Sequence, residues 1–160
     1  MKLGFVTARM AQSDPSSPSG WMTDAGVGRL LSALGDRVSS LSVAMSIVSG
    51  NTPLFDHPIN LPRSHVVPLP EMTSFQAGFF QHAACKKVLA EIESRSDVVI
   101  VQLPHSAPTS LFGATRPRIY HVCADVLSIV RDTKRYQGIK RGVSLGIAYL
   151  VEGIHQQLIR

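Results

Sequence analysis

Asp97-Val-Val-Ile-Val-Gln-Leu-Pro104 is the stretch on which the fold turns. A continuous β-branched run ended by a proline reads as a strand buried on both faces, and that is the mark of a central parallel strand. Working outward, Thr73 to Ser94 reads as one long helix before it. Ala84, Val88 and Ile92 form a line with Phe80 a turn earlier, while Lys86, Lys87, Glu91 and Glu93 lie largely elsewhere. After it, Ser106 to Leu111 reads as a short helix and Arg118 to Cys123 as a further strand. Asp125 opens another helical segment. A last helix runs from about Gly142, with Val143, Ile147, Leu150, Ile154 and Leu158 at helical spacing.

Toward the N-terminus, Leu3 to Ala8 is a short apolar run with the character of a buried first strand. Arg9 to Trp21, rich in Ser and Pro, reads as a loop. Thr23 or Asp24 can cap a helix to about Ala33, with Val27, Leu30, Leu31 and Leu34 on one side and Gly35 as C-cap. Val38 to Val48 reads as the second strand. Asn51 to Pro70 is the least regular segment. It carries Pro53, Pro58, Pro62, Pro68 and Pro70, and a short strand is expected over Ser64 to Pro68. The alternation of strands and helices predicts an α/β domain, a three-layer α/β/α sandwich with a mostly parallel, Rossmann-like sheet. Ligands of such sheets bind beyond the carboxyl ends of the strands. The stretches to watch are therefore Arg9 to Trp21, the residues after Val48, Leu103 to Thr109, and Cys123 to Arg131.

The 160 residues suit one domain with one sizeable core. Charged residues make up only 17%, which leaves room for partly covered surfaces, and the net charge of +5 favours anionic partners. Phosphorylated sugars and anionic headgroups fit that balance. Nucleic acid is not expected, because interleaved aromatics and a recognised module are both missing. Cys85 and Cys123 read as buried free thiols, and no C-x-x-C, H-E-x-x-H or facial triad announces a metal. Met-Lys-Leu-Gly-Phe-Val is a strand start rather than a signal peptide, and no apolar stretch is long enough to span a bilayer, so a cytoplasmic location is expected.

No G-x-G-x-x-G and no Walker A motif occurs, which argues against a plain NAD domain, and no cofactor is expected. Gly20, Trp21, Thr23 and Asp24 either line a ligand at the helix N-terminus or simply turn the chain and cap the helix. His105, in Pro104-His105-Ser106, follows the central strand and is expected to face the cleft. There it could exchange a proton or bind a sugar hydroxyl, with a bland surface or capping role as the alternative. Ser106 and Thr109 read as helix-start residues, and nothing near His105 builds a hydrolase triad. Asp125, ending His121-Val-Cys-Ala-Asp125, either points into the cleft or caps. Arg131, Lys134, Arg135, Lys140 and Arg141, with Tyr136 and Gly138, form a basic cluster that could meet phosphates or a membrane surface, or stand solvated.

Taken in order, these segments resemble the N-terminal domain of GT-B fold glycosyltransferases, specifically the large family 4 of retaining enzymes (glycosyl transferases group 1). The resemblance is carried by Gly4-Phe-Val-Thr-Ala8 with its loop to Gly20 and Trp21, and by Val67-Pro-Leu-Pro70 before the long helix. Ser96 to Pro104, and Tyr120-His-Val-Cys-Ala-Asp125 with Tyr136 and Gly138, complete it. The resemblance implies transfer of a sugar from a nucleotide-sugar donor to an acceptor hydroxyl in polysaccharide or glycolipid biosynthesis, with anomeric configuration retained. It implies donor-side binding at Gly20 and Trp21, acceptor contacts at Thr23 and Asp125, and a catalytic role for His105 beside the reacting sugar. Ser16 to Trp21 is poorer in glycine than the family's loop. Nothing follows Arg160, so the donor-binding C-terminal domain is expected to be absent and the chain inactive alone. The expected partners are the nucleotide-sugar donor, mainly through that missing domain, and a sugar or lipid-linked acceptor. Peripheral contact with the inner membrane face and a homodimer formed by element exchange are also expected. A non-catalytic α/β binding or scaffold module is the competing reading.

Overall fold

Side chains alternate across a strand, and along the first strand they sort into two cores. β1 (Lys2–Ser13) sends Leu3, Phe5 and Ala11 to one face of the sheet and Val6 to the other. The computed structural model describes residues 1–48, 54–59, 64–72, 75–124, 126–132 and 138–159. After β1 come β2 (Trp21–Thr23), α1 (Ala25–Gly35), β3 (Ser40–Val48), β4 (His57–Pro58) and β5 (Ser64–Leu69). Then follow α2 (Phe75–Phe80), α3 (His82–Ser94), β6 (Val98–Leu103), a 3-10 turn over Pro108–Leu111, β7 (Arg118–Val122), α4 (Val126–Asp132) and α5 (Gly138–Ile159).

β1 pairs in parallel with β3 and with β6; β3 continues in parallel to β5, and β6 to β7. β2 and β4 add antiparallel pairings, β2 against Ala11–Ser13 and β4 against β2. The sheet is thus mixed and open. α1 packs Val27 and Leu31 on the face of Phe5, Leu41 and Val43, while α3 packs Cys85, Leu89 and Ile92 on the face of Val6, Val99 and Val101. Each fully buried aliphatic side chain of these clusters contributes about 1.5–3 kcal/mol. The result is a mixed α/β domain whose sheet is flanked by helices, a generic Rossmann-like scaffold.

One detail of register positions the site. β6 pairs only with Leu3–Val6 of β1, and β2 only with Ala11–Ser13, whereas β3 holds the opposite edge through both stretches. Between the two partners, at 7–10, that edge of β1 has no ladder, and the pairing with β3 shifts register there, between Val6 and Met10. A bulge within a central strand re-aims side chains and opens space.

Several expectations need correction. Arg9 to Trp21 is not all loop, because β1 runs on to Ser13 and returns as β2, leaving only residues 14–20 as the hairpin turn. The long helix is two, divided at Gln81. Its buried line is Cys85, Leu89 and Ile92, with Ala84 exposed, so α3 sits rotated from the expected face. β6 is buried on the α3 face through Val99, Val101 and Leu103 but only half-covered at Val98, Ile100 and Gln102. α1 includes Gly35, and the residue closing it is Asp36. α5 begins at Gly138 and buries Ala148, Val151 and His155, leaving Val143 and Leu150 exposed. Cys85 is buried as expected, but Cys123 is exposed.

Candidate functional site

The open stretch of β1 is held in shape by one hydroxyl. Thr7 is fully buried, and its Oγ1 accepts the N–H of Arg9 at 3.0 Å while donating to Gln102 Oε1 at 2.5 Å. The Gln102 amide, with its oxygen so engaged, donates through Nε2 to Cys123 Sγ at 3.0 Å. Cys123 is itself fixed by its backbone N–H on the carbonyl of Leu103 at 2.9 Å. The middle of β1, at its break in pairing, and the carboxyl ends of β6 and β7 are thereby tied together by Thr7, Gln102 and Cys123.

Two cavities open there and share Ala8 and Arg9. The first, about 300 Å³, is lined among others by Arg9, Gln102, Pro104, Ser106, Cys123 and Ala124. The second, about 370 Å³, lies toward β2 and is lined by Arg9, Met10, Asp24, Val48, Leu54 and Phe55. Volumes of this order suit a small ligand or one part of a larger one. Arg9 is exposed and forms no ion pair among the described residues, so its guanidinium is available to a carboxylate or phosphate.

His105 does not face this crevice. Its side chain is fully buried, and Pro104 and Ser106 on either side line the cavity in its stead. The Nδ1 of His105 accepts the N–H of Ala107 at 3.1 Å, and its own backbone N–H donates to His155 Nε2 of α5 at 3.3 Å. Burial pushes both imidazoles down to about 4, so both are neutral near pH 7. Each accepts a backbone N–H, which fixes the tautomers: His105 carries its proton on Nε2 and His155 on Nδ1. The Leu103–Pro104 peptide bond just before is cis.

The remaining expected residues are dispersed. Gly20 closes the β1–β2 turn at φ +78°, a left-handed conformation that favours glycine, with its N–H on the Ser17 carbonyl at 2.8 Å. Trp21 is half-buried against the α1-side core. Thr23 is fully buried and spends its hydroxyl on the Met10 carbonyl at 2.9 Å. Asp24 does cap α1, accepting the Val27 N–H at 3.1 Å, and also borders the second cavity. Asp125 lies outside the described residues, as do Lys134, Arg135 and Tyr136. Arg131 is exposed and donates to the Tyr149 hydroxyl at 3.2 Å. Among the described residues no group of three or more His, Cys, Asp or Glu could hold a metal, and no helix is long and apolar enough to cross a membrane.

Sequence reasoning missed Thr7, Gln102, Cys123 and the role of Arg9. One signal was present in Gln102, the single polar side chain inside the 98–103 run. Arg9 and Cys123 lay within the stretches that follow strands, yet nothing in their local pattern singled them out. No family model, no curated protein and no solved structure matches this chain.

Proposed function

We propose that this chain is the acceptor-side domain of a retaining glycosyltransferase of GT-B type, binding an anionic sugar-bearing ligand in the crevice around Arg9. The observation that carries the reading is the pair of cavities flanking Arg9, which forms no ion pair among the described residues, at the break in β1 beside the carboxyl ends of β6 and β7. Open α/β sheets bind ligands at that place, where connections leave the central strand in opposite directions. The order of the sequence segments that resemble family 4 supports the same reading. Arg9 would take a phosphate or carboxylate, and Asp24, at the rim of the second cavity, sugar hydroxyls. Work at the inner membrane face on a lipid-linked acceptor belongs to this proposal, as do a nucleotide-sugar donor and a homodimer.

A second reading is favoured by the burial of His105. With that imidazole inside the core, the crevice lacks the group to which catalysis was assigned, and a non-catalytic binding module fits the remaining geometry. One experiment separates the two. Nucleotide sugars, nucleoside diphosphates and sugar phosphates are titrated against the chain, followed by amide shifts and by the fluorescence of Trp21, its one tryptophan. Both readings expect saturable binding that weakens in Arg9→Ala by about 1.5–3 kcal/mol, or about tenfold and more in Kd. Transfer of labelled sugar to a lipid-linked acceptor is then assayed with the longest product of the reading frame. Transfer supports the enzyme, and binding without transfer supports the module. Absence of binding in every class sinks both.

A further inference from the structure

Free cysteines are among the most buried residues, and where one is exposed its neighbours decide its chemistry. Cys85 follows the rule inside the α3-side core, where burial pushes its thiol up to about 11. Cys123 departs from it. It is exposed, sits immediately after β7, and lines the 300 Å³ cavity.

Two groups meet this sulfur, and a third lines the same cavity. The first is the Gln102 amide, whose orientation is fixed. Thr7 Oγ1 accepts from Arg9 N–H and donates to Gln102 Oε1, and the amide NH2 is turned to Cys123 Sγ, 3.0 Å away. That bond holds the sulfur at the wall of the cavity. The second is His121, two residues earlier on the same side of β7, with Nδ1 at 3.7 Å and Nε2 at 3.9 Å from Sγ. A neighbouring imidazole can take the thiol proton. The third is Arg9, the one charged side chain among the described residues lining the cavity. An anionic reagent is therefore drawn in and a cationic one repelled.

We propose that Cys123 is a nucleophilic thiol that exchanges with small carboxylate-bearing disulfides, the chemical class of an oxidised peptide thiol. The thiol proton passes to His121. The Sγ thiolate attacks one sulfur of the disulfide, and the new Sγ–S bond forms as the old S–S bond breaks. The departing thiolate recovers the proton from the His121 imidazolium. Cys123 is oxidised to a mixed disulfide, and the released half is reduced to a thiol. The adduct fills the cavity beside Arg9, so modification and ligand binding there exclude one another. The inference does not depend on the glycosyltransferase reading.

The test uses the folded full chain with two probes at neutral pH, the dianionic dithiobis(nitrobenzoate) and the cationic cystamine. Modified peptides are assigned by mass spectrometry, and rates are divided by those of N-acetylcysteine with the same probe. Cys123 is expected to react before Cys85 and to prefer the anionic probe by at least about tenfold, the lower end of what a charged cleft gives. Arg9→Gln should abolish that preference, and His121→Gln should slow the reaction of Cys123 with both probes. Rates for Cys123 indistinguishable from those of N-acetylcysteine would overturn the proposal. So would a probe preference that survives Arg9→Gln, a Cys123 rate unchanged by His121→Gln, or equal labelling of Cys85.

Discussion

At Glu93 a carboxylate 3% exposed receives the Arg118 guanidinium through Nε at 2.9 Å and Nη2 at 2.7 Å. Thr115 adds its N–H at 3.1 Å and its hydroxyl at 2.7 Å. Burial alone would push this carboxyl up, but the Thr115 bonds and the Arg118 charge outweigh it and hold it below its ordinary value. The pair joins α3 to the start of β7, and Arg118 also donates to the Leu111 carbonyl. Deleting one partner of a buried pair leaves the other uncompensated. Glu93→Ala is therefore expected to cost about 3–5 kcal/mol, read from urea unfolding. The double variant Glu93→Met with Arg118→Met should cost less than that single change, because two apolar side chains leave no buried charge. A double variant as unstable as the single would show that the pair's charge is not what matters.

Between elements, α2 closely approaches the segment after β6. A Cβ on Gly78 would lie 1.8 Å from the Ser106 carbonyl oxygen, a backbone atom that cannot swing away. The same substitution at Gly146, on the open side of α5, would meet nothing within 4 Å. Gly78→Ala is expected to destabilise by about 1–3 kcal/mol, the range for overpacking, and to shift the amide signals of the cavity residue Ser106. Gly146→Ala should stabilise by about 0.5–1 kcal/mol through helix propensity. Equal effects at the two sites would refute the close approach. This contact also shows why the long helix was misread. Periodicity over 73–94 gives helix throughout, but which face turns inward is decided by the distant 104–107 backbone, which no local pattern contains. The same holds at the site. The β-branched run at 98–103 declared a central strand because its chemistry is local, and the residues following strands were the right places to look. That Thr7 would orient Gln102 toward Cys123 depends on parallel neighbours 95 and 21 residues apart in sequence, so the cluster was illegible until the strands were paired. His105 misled for the opposite reason. Its position after a strand was read correctly, yet its direction is set by α5, fifty residues on.

Over the whole molecule, that same histidine fastens the end of the sheet to its last helix. The His105 N–H donates to His155 Nε2, and Ala107 N–H to His105 Nδ1, so each imidazole must stay neutral to keep its bond. Burial lowers both from an ordinary 6.5 to about 4, and at His105 the neighbouring His155 and Arg118 add to the shift. Between those two values the unfolded chain binds more protons than the folded one, so stability increases with pH across that window. It is fully present above about 6.5 and is lost as pH falls toward about 4. The slope is bounded by about 1.4 kcal/mol per pH unit for each histidine. Glu93 acts lower: its folded carboxyl lies below the ordinary 4.5, so its contribution is present above that value and fades beneath it. The expected outcome is an unfolding free energy, measured in urea, that is flat above pH 6.5 and declines from there to pH 4.5 before any carboxylate effect sets in. His155→Phe fills the same space without a proton to gain. It should lower stability near neutrality, because the His105 N–H loses its acceptor, and it should roughly halve the acid slope. An unchanged slope in that variant would mean that the two imidazoles do not carry the acid sensitivity, and that α5 is held by Ala148 and Val151 against α4 and by Leu158 against the α3-side core rather than through the histidine pair.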